Sequence, residues 1–243
     1  MRLKAVIAYD GSAFFGFQRQ KSTPLTVTQA IEDALKTLHI DTDIVGSGRT
    51  DRNVHATAQV IHFDVPDFWQ DISRLKEVLN RKLTAIEIRH LYRVADDFHA
   101  RFMAKRRYYR YLFKTRKPSV FEEKYIAYYQ AAFTTVSLKK ALRCFEGEHD
   151  FMLFHKTGSD VHTTVRTLYK ADYYCHKDIH IISFEANGFL RAQVRLMVEA
   201  AMQCAQGKLS LSALQEQIQG EKRHISKPAP AEGLYLARIM YDA

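Results

Sequence analysis

Hydrophobic and polar residues follow two different periods along this chain. In short stretches they alternate, which is typical of half-buried β-strands, and elsewhere hydrophobic residues recur every three or four positions, which is typical of amphipathic helices. In the first hundred residues, alternation predicts strands over 3–9, 57–65 and 87–92. The helical spacing predicts helices over 72–83 and over 27–38. Thr26 and Gln29 have the spacing of a capping box at the start of the second of these.

The second half of the chain repeats this order of elements. Alternation predicts strands over 107–115, 124–129, 164–174, 179–186 and 234–241. The helical spacing predicts helices over 138–145, capped by Ser137, and over 189–206, followed by Gly207 at the C′ position. The segments 155–163 and 220–231 are predicted as loops.

Each half is therefore predicted as a strand–helix–strand–strand–helix–strand unit. Such a repeat indicates an α+β protein whose two similar halves share one sheet. We expect the boundary near residues 94–104, which gives predicted domains of 1–100 and 101–243.

The composition is that of an ordinary globular protein: 243 residues, of which 47% are hydrophobic and 26% charged. The three cysteines lie far apart in sequence, so neither a disulfide framework nor a Cys-rich zinc module is expected. No apolar run approaches the roughly 18 residues that span a membrane, and the N-terminus leads directly into a strand pattern. We expect a cytoplasmic protein with no membrane partner.

Positive charge is concentrated in one stretch of the chain, whose formal net charge is +9. Between His99 and Lys117 there are eight basic residues and no acidic one: Arg101, Lys105, Arg106, Arg107, Arg110, Lys114, Arg116 and Lys117. Five aromatic residues are interleaved with them: Phe102, Tyr108, Tyr109, Tyr111 and Phe113. Cations bind phosphates and exposed rings stack on bases, so this basic segment predicts a nucleic-acid partner. The alternative is a solvated strand whose aromatic residues belong to the core.

RNA is the favoured nucleic acid, because no zinc-finger, basic-zipper or clear helix-turn-helix pattern is present. Motifs of several other enzyme classes are also missing. The Gly46-Ser47-Gly48 run lacks the third glycine of a dinucleotide loop, and no phosphate-binding G-K-[ST] follows a glycine run. The zinc-deaminase signature and the G-x-S-x-G nucleophile elbow are absent as well.

One loop carries a concentration of chemical groups, running from Gly46 to Ala56. After two glycines it places Arg49, Asp51, Arg52 and His55 between two predicted strands. Neighbouring cations keep a carboxylate ionised, which suits a nucleophile or a base. The alternative interpretation is that Asp51 only caps a turn.

The loop and five other segments resemble the motifs of the tRNA pseudouridine synthase A family. The loop segment reads Gly48-Arg49-Thr50-Asp51, then Val54-His55-Ala56, and runs into Gln59-Val60-Ile61-His62-Phe63. The others, in order, are Tyr9-Asp10-Gly11-Ser12 with Gly16-Phe17-Gln18-Arg19-Gln20; Asp97-Phe98-His99-Ala100-Arg101-Phe102 with Arg106-Arg107-Tyr108-Tyr109-Arg110-Tyr111; Phe145-Glu146-Gly147-Glu148-His149-Asp150-Phe151; Ala186-Asn187-Gly188-Phe189-Leu190 with Val194-Arg195; and Glu232-Gly233-Leu234-Tyr235-Leu236. Together they cover residues 3 to 241.

This chain departs from the family pattern at three places. Arg52-Asn53 stands where the family usually has Ala-Gly, Phe17 where a tryptophan is expected, and Arg191-Ala192 where a histidine pair is usual. Asparagine tolerates positive φ better than most residues, so the loop can keep its shape. The departures bear on RNA contacts, whereas the residues expected to carry the chemistry are all present.

The resemblance implies a cofactor-free, metal-free isomerase that converts uridine to pseudouridine in tRNA, at positions 38, 39 and 40 of the anticodon arm. It implies the pseudouridine synthase fold, a mixed and mainly antiparallel central sheet with a catalytic cleft between two α+β halves, and a homodimer. The first half would carry the catalytic aspartate loop. The second would carry the basic strand and the long helix. Two alternatives stay open: a catalytically inactive tRNA-binding protein, and an RNA-base hydrolase or deaminase.

The resemblance also implies roles for individual residues. Asp51 would be catalytic, by attack on C1′, by addition at C6 or by abstraction of a sugar proton. Arg195 would pair with Asp51, Tyr109 would stack on the uracil and relay a proton, and Leu234 would wall the pocket. Arg49 would complete the substrate-binding set. The predicted RNA contacts are Arg19, Arg52, His55, Arg101, Lys105, Arg106, Arg107 and Arg110.

Overall fold

The computed structural model of the protein describes residues 1–156, 158 and 162–242. These residues divide into two units, the first formed by 1–105 with 235–242 and the second by 106–234. The first break in the chain lies close to the predicted boundary. The final strand, predicted as part of the second half, lies in the first unit except for its first residue, Leu234.

The described residues form ten strands and five α-helices. The strands are β1 (Arg2–Tyr9), β2 (Val45–Gly46), β3 (His55–Asp64), β4 (Ile86–Arg93), β5 (Arg106–Lys114), β6 (Ala127–Tyr128), β7 (Gly147–Asp150), β8 (Val165–His176), β9 (Ile179–Ala186) and β10 (Leu234–Met240). The helices are α1 (Val27–Lys36), α2 (Ile72–Lys82), α3 (Thr135–Arg143), α4 (Gln193–Ala205) and α5 (Leu211–Ile218). The α+β class is confirmed.

In the first unit the strand order is β4-β1-β3-β10. Strand β1 is antiparallel to both of its neighbours, and every second residue of it is buried, as its alternating pattern predicts. Strand β10 runs parallel to β3, with Tyr235 opposite His55 and Leu236 opposite Ala56. This pairing explains why the C-terminal strand belongs to the first unit.

Both helices of the first unit begin at side-chain caps. The Thr26 hydroxyl accepts the backbone N–H of Gln29, and the Asp71 carboxylate accepts that of Arg74. Only half of the predicted capping box forms, because the Gln29 side chain donates to Asp33 within the helix rather than back to the cap. Apolar residues of each helix are buried in the core of the unit.

In the second unit the strand order is β5-β9-β8-β7, antiparallel throughout, with the short β6 parallel to β5. On β5 the side chains of Tyr109, Tyr111 and Phe113 are buried, so the predicted strand register is confirmed. Helix α4 is buried along most of its length and packs against α3.

The long helix and α3 begin at other residues than the pattern predicts. Helix α4 begins at Gln193 instead of 189, because Ala192 has left-handed backbone geometry, with φ of 61°. Helix α3 begins at Thr135, so Ser137 lies inside it instead of capping it. The glycine predicted at the end of α4 is confirmed, since Gly207 has φ of 72°.

The strand predicted over 124–129 shrinks to the two residues of β6. The N–H groups of Tyr125 and Ile126 bond back to Glu122, which turns the chain where the alternation predicts extended backbone. Strands β2 and β7 and helix α5 were not predicted. Of the predicted loops, 220–231 contains no helix or strand, whereas 155–163 includes residues outside the described part of the chain.

Candidate active site and RNA-binding surface

The loop that carries Asp51 lies between β2 and β3, and its first residues are tied to β3. The Ser47 N–H donates to the carbonyl of Val60 at 2.8 Å, and its hydroxyl donates to Oε1 of Gln59 at 2.6 Å. The amide nitrogen of Gln59 in turn donates to the carbonyl of Gly48 at 2.8 Å. Both Ser47 and Gln59 are buried, so these bonds are shielded from water and hold the loop in place.

The middle of the loop is held on both sides of Thr50 and Asp51. The Tyr9 hydroxyl hydrogen-bonds the Thr50 hydroxyl at 2.8 Å, and the Phe17 N–H donates to the carbonyl of Thr50 at 3.1 Å. The Val54 N–H donates to the carbonyl of Asp51 at 3.1 Å, which closes a turn directly after the aspartate. Within that turn Asn53 has φ of 63°, which confirms that the asparagine adopts the left-handed conformation.

Gly11 lets the end of β1 approach the loop closely. A Cβ at this position would lie 2.1 Å from the carbonyl oxygen of Val54, so no other residue fits without displacing backbone. The Gly11 N–H donates to Nδ1 of His55 at 3.0 Å. The start of β3 is thereby fixed to the end of β1, and the Asp51 turn lies directly before it.

The His55 side chain is buried, and its contact with RNA stays a prediction. It is 2% exposed, its Nδ1 accepts the Gly11 N–H, and its ring stacks on that of Tyr235 at 4.7 Å between centroids. These contacts tie His55 to Gly11 and Tyr235, on either side of the start of β3.

The two arginines of the loop are exposed on either side of the half-buried Asp51. The guanidinium of Arg52 lies over the ring of Phe15, 4.2 Å from its centroid. Because both side chains are exposed, Arg49 and Arg52 can contact an RNA phosphate near Asp51.

Three of the predicted substrate-binding residues lie in the second unit. Tyr109, on β5, is 8% exposed and meets the ring of Phe189 edge-on at 5.1 Å between centroids. Leu234 is buried at the start of β10. Arg195 lies on the first turn of α4, where its Nε donates to the carbonyl of Ala229 at 2.7 Å and its own carbonyl accepts the Ala229 N–H at 3.1 Å. Tyr109 and Arg195 are thus held in defined orientations.

Comparison with known proteins identifies the family to which the chain belongs. The sequence model of the tRNA pseudouridine synthase family matches residues 5–103 and 141–242. This protein belongs to the tRNA pseudouridine synthase family. It is 43% identical to tRNA pseudouridine synthase A of Helicobacter hepaticus, over 98% of both chains. It is 38% identical to the Wolinella succinogenes enzyme of that name, over 99% of this chain and 95% of the relative, and 37% identical to the Campylobacter jejuni one, over 99% and 100%.

Membership of the tRNA pseudouridine synthase family confirms the resemblance seen in the sequence and the fold class. It makes the protein an isomerase that converts uridine to pseudouridine in tRNA. The roles of individual residues remain predictions, as do the positions modified in the tRNA.

The positive charge of the basic segment that would bind tRNA is neutralised by carboxylates to a greater extent than its own sequence indicates. At least five of its eight cations pair with acids from other parts of the chain, namely Lys105 with Asp242, Arg106 with Glu185, Lys114 with Glu122 and Asp178, Arg116 with Asp178, and Lys117 with Glu123. Lys114 is buried, so its two pairs belong to the interior of the unit. The other cations are exposed, and pairs of this kind contribute about 0–1 kcal/mol, so an RNA phosphate can replace the carboxylate.

The other predicted RNA contacts of this segment use their guanidinium groups in different ways. Arg107 donates to the carbonyl of Asn187 at 2.7 Å, and Arg110 lies over the ring of Tyr108 at 5.4 Å. Arg101 lies over the ring of Phe102 at 5.7 Å, and this ring is exposed. Arginine–aromatic pairs at a surface can stack on unpaired bases.

Arg19, also predicted to contact RNA, has a partner inside the first unit. Its guanidinium pairs with Glu32, a buried carboxylate whose other oxygen accepts the N–H of Ile44 at 3.0 Å. Half of the Arg19 side chain remains exposed. The contact with RNA stays a prediction, and the ion pair adds a role in neutralising Glu32.

Most of the residues that hold the Asp51 loop were not among the predicted site residues. Gln59, Tyr9 and Gly11 lie in the motifs quoted for the family, and this was the only signal that they matter. In residues 1–156, 158 and 162–242, no group of three or more His, Cys, Asp or Glu residues is placed to hold a metal ion. No helix in the same residues is long and apolar enough to cross a membrane.

Proposed function

We propose that this protein converts uridines at positions 38, 39 and 40 in the anticodon arm of tRNA to pseudouridine, with Asp51 as its nucleophile or base. The observation that carries the assignment of Asp51 is the fixed loop around it. Bonds to β3, Tyr9 and Phe17 hold the residues before the aspartate, and the turn through Asn53 holds those after it. A carboxylate that attacks one atom of a bound nucleotide needs such preorganisation.

The reaction breaks the bond between N1 of uracil and C1′, turns the base and joins C5 to C1′, with loss of the C5 proton to solvent. Asp51 would attack C1′, add at C6 or abstract a sugar proton. Each route requires an ionised carboxylate near the sugar of the target nucleotide. Arg195 would pair with Asp51, Tyr109 would stack on the uracil, and Leu234 would form a wall of the pocket.

A target uridine within a stem has to leave the base stack before it can react. Flipping a base costs a few kcal/mol. Arg49, Arg52 and the basic segment would offset this cost through phosphate contacts, which also place the tRNA on the enzyme. The protein would act in the cytoplasm as a homodimer, and light scattering of the purified chain should give twice the mass of one chain.

The departure at Arg52-Asn53 leaves the geometry of the loop intact. Asn53 adopts the left-handed conformation, and the turn from Val54 to Asp51 closes. This supports an active enzyme over a tRNA-binding protein that has lost catalysis.

Tritium release tests the proposal. With tRNA that carries tritium at C5 of uracil, isomerisation must release label into water, whereas binding alone releases none. We expect release from the wild-type protein and none from Asp51→Asn, with tRNA affinity within several-fold because phosphate contacts dominate binding. Asp67→Asn, an exposed aspartate of the same unit, is the matched control and should be fully active. Release by Asp51→Asn within tenfold of wild type would refute the role of Asp51.

A further inference from the structure

Four basic side chains surround a cavity in the second unit. The cavity has a volume of about 310 Å³ and is lined by His155, Lys156, Arg191 and Arg223. All of these residues lie outside the set that the resemblance implies for the reaction. Arg191 stands at one of the positions where this chain departs from the family, which usually has a histidine there.

Two walls of the cavity are held by one buried amide. Gln217, 0% exposed on α5, donates to the carbonyls of Leu153 and Ile225, both at 3.0 Å. Its oxygen accepts the Ile225 N–H at 2.7 Å. Leu153 lies two residues before His155, and Ile225 lies two residues after Arg223. The segments that carry His155 and Arg223 are therefore fixed to the same helix.

The third wall is the backbone at the start of α4. The Arg191 carbonyl accepts the N–H of Lys156 at 3.1 Å, which joins two lining residues directly. On either side of Arg191, Leu190 donates its N–H to the buried side chain of Gln193 at 2.7 Å, and Ala192 takes the left-handed conformation. The direction in which Arg191 leaves the backbone is set by these constraints.

The Met152 carbonyl orients two of the basic side chains. It accepts a hydrogen bond from Nδ1 of His155 at 2.9 Å and another from the Arg223 guanidinium at 3.4 Å. A carbonyl only accepts, so Nδ1 of His155 carries a proton. The nearby acid Glu216 pairs with His224 at 2.8 Å. The cavity thus brings together two guanidinium groups, an ammonium and an imidazole.

We propose that this cavity binds a phosphate group of the tRNA backbone. Guanidinium groups match the geometry of phosphate oxygens, and a single phosphate can accept from several donors at once. The inference rests on the proposed function, in which tRNA is the substrate and Arg195 lies at the target nucleotide. Arg191 lies four residues before Arg195, at the same end of α4. A phosphate held there would fix the RNA strand close to the residue that we expect to face the target nucleotide.

Salt dependence of tRNA binding provides the first test. The slope of log affinity against log salt is negative, and removing one phosphate contact should decrease its magnitude by about 0.7–0.9. We expect this decrease, with several-fold weaker binding, in Arg191→Gln/Arg223→Gln. The matched control Lys139→Gln/Arg143→Gln removes the same charge from exposed residues of α3. An unchanged slope in the first variant, or equal decreases in both, would overturn the proposal.

Turnover and a phosphate titration separate the remaining possibilities. Tritium release by Arg191→Gln/Arg223→Gln should show a raised KM with kcat within a few-fold of wild type, whereas a fall in kcat alone would mean that the pair only supports α4. In the wild-type protein, inorganic phosphate should shift the NMR signals of the His155 ring, identified with His155→Gln, and sodium chloride should not. Phosphate binding with an unchanged salt slope would assign the cavity to a small anion and refute a tRNA contact.

The test also separates this inference from the proposed function. If wild-type protein releases no tritium, the proposed function fails, and the salt slope still decides whether the cavity contacts tRNA. If wild type releases tritium and the slope of the variant is unchanged, the cavity proposal alone fails.

Discussion

The guanidinium of Arg52 stacks on the ring of Phe15, with 4.2 Å between them. Arg52 directly follows Asp51, and Phe15 belongs to the loop after β1. Phe15 is 41% exposed although it is a large apolar residue. The pair therefore presents a cation and an aromatic face to solvent next to the predicted catalytic carboxylate, a combination that suits contact with RNA bases.

If this pair contacts RNA, Phe15→Ala should weaken tRNA binding by about fivefold or more, since stacking is worth ~1–3 kcal/mol per base. Phe15→Tyr should retain wild-type affinity because it keeps the ring. A double-mutant cycle with Arg52→Ala, measured by filter binding, should show coupling between the two residues. Additive losses would mean that they contact the RNA independently of each other.

Tyr109 allows recognition and chemistry to be separated. If its hydroxyl relays a proton, Tyr109→Phe should keep tRNA affinity and lose about 10²–10⁴-fold in turnover. Tyr109→Leu should also lose the stacking of the flipped base. The control is Tyr108→Phe, since Tyr108 points to the opposite face of β5, where Arg110 lies over its ring. Wild-type turnover by Tyr109→Phe would leave the residue with a stacking role only.

His55 should affect turnover through the geometry of the loop. His55→Leu removes the acceptor for the Gly11 N–H, and an unsatisfied buried donor costs ~1–3 kcal/mol. We expect a lower kcat and a lower free energy of unfolding, with unchanged affinity for tRNA. His55→Asn places an oxygen near the position of Nδ1 and should restore part of both. Weaker tRNA binding with normal kcat would instead support the original prediction of an RNA contact.

His62 should make the stability of the first unit depend on pH. It is 5% exposed, and its Nδ1 accepts the Ala100 N–H at 3.1 Å. Burial, followed by the nearby charges of His99 and Arg2, lowers the pKa of His62 to about 4, against a usual value of about 6.5. The unfolded chain therefore takes up a proton at a higher pH than the folded chain does.

The stabilising effect of neutral His62 is complete above pH 6.5 and is lost progressively as pH falls towards 4. The gap between the two pKa values corresponds to about 3 kcal/mol. Urea unfolding at pH 7 and pH 4.5 should show most of this loss in wild type and much less in His62→Gln, whose side chain can still accept the Ala100 N–H. Equal losses in both proteins would assign the pH dependence to other groups.

Strands with one buried face and one more exposed face were predicted well from the sequence. Strand β9 has the predicted bounds, and β1 and β5 differ by one residue at their ends, because alternation directly reports which face is buried. The start of α4 was missed because Phe189 and Leu190 continue the apolar spacing, while the left-handed Ala192 that delays the helix has no signature in the sequence.

Site residues could be predicted from the sequence where they lie in a short local motif. Their burial and partners could not be predicted where these depend on residues far away in the chain. Asp51 stands out in a short motif. The burial of His55 depends on Gly11 and Tyr235, which lie 44 residues before it and 180 residues after it in the chain. In the same way, Arg106 lies in a segment without acids, yet the register of β5 with β9 brings Glu185 to it.

Because β10 follows the second unit in the chain, the sheet of the first unit can be completed only after the second unit has been synthesised. The edge of β3 that carries His55 and Ala56 pairs with residues that follow the entire second unit in the chain. A ribosome therefore makes 106–234 before the first unit can close its sheet, and until then this edge of β3 stays available to other strands. Nascent chains that stop before residue 235 should need a chaperone to stay free of aggregates.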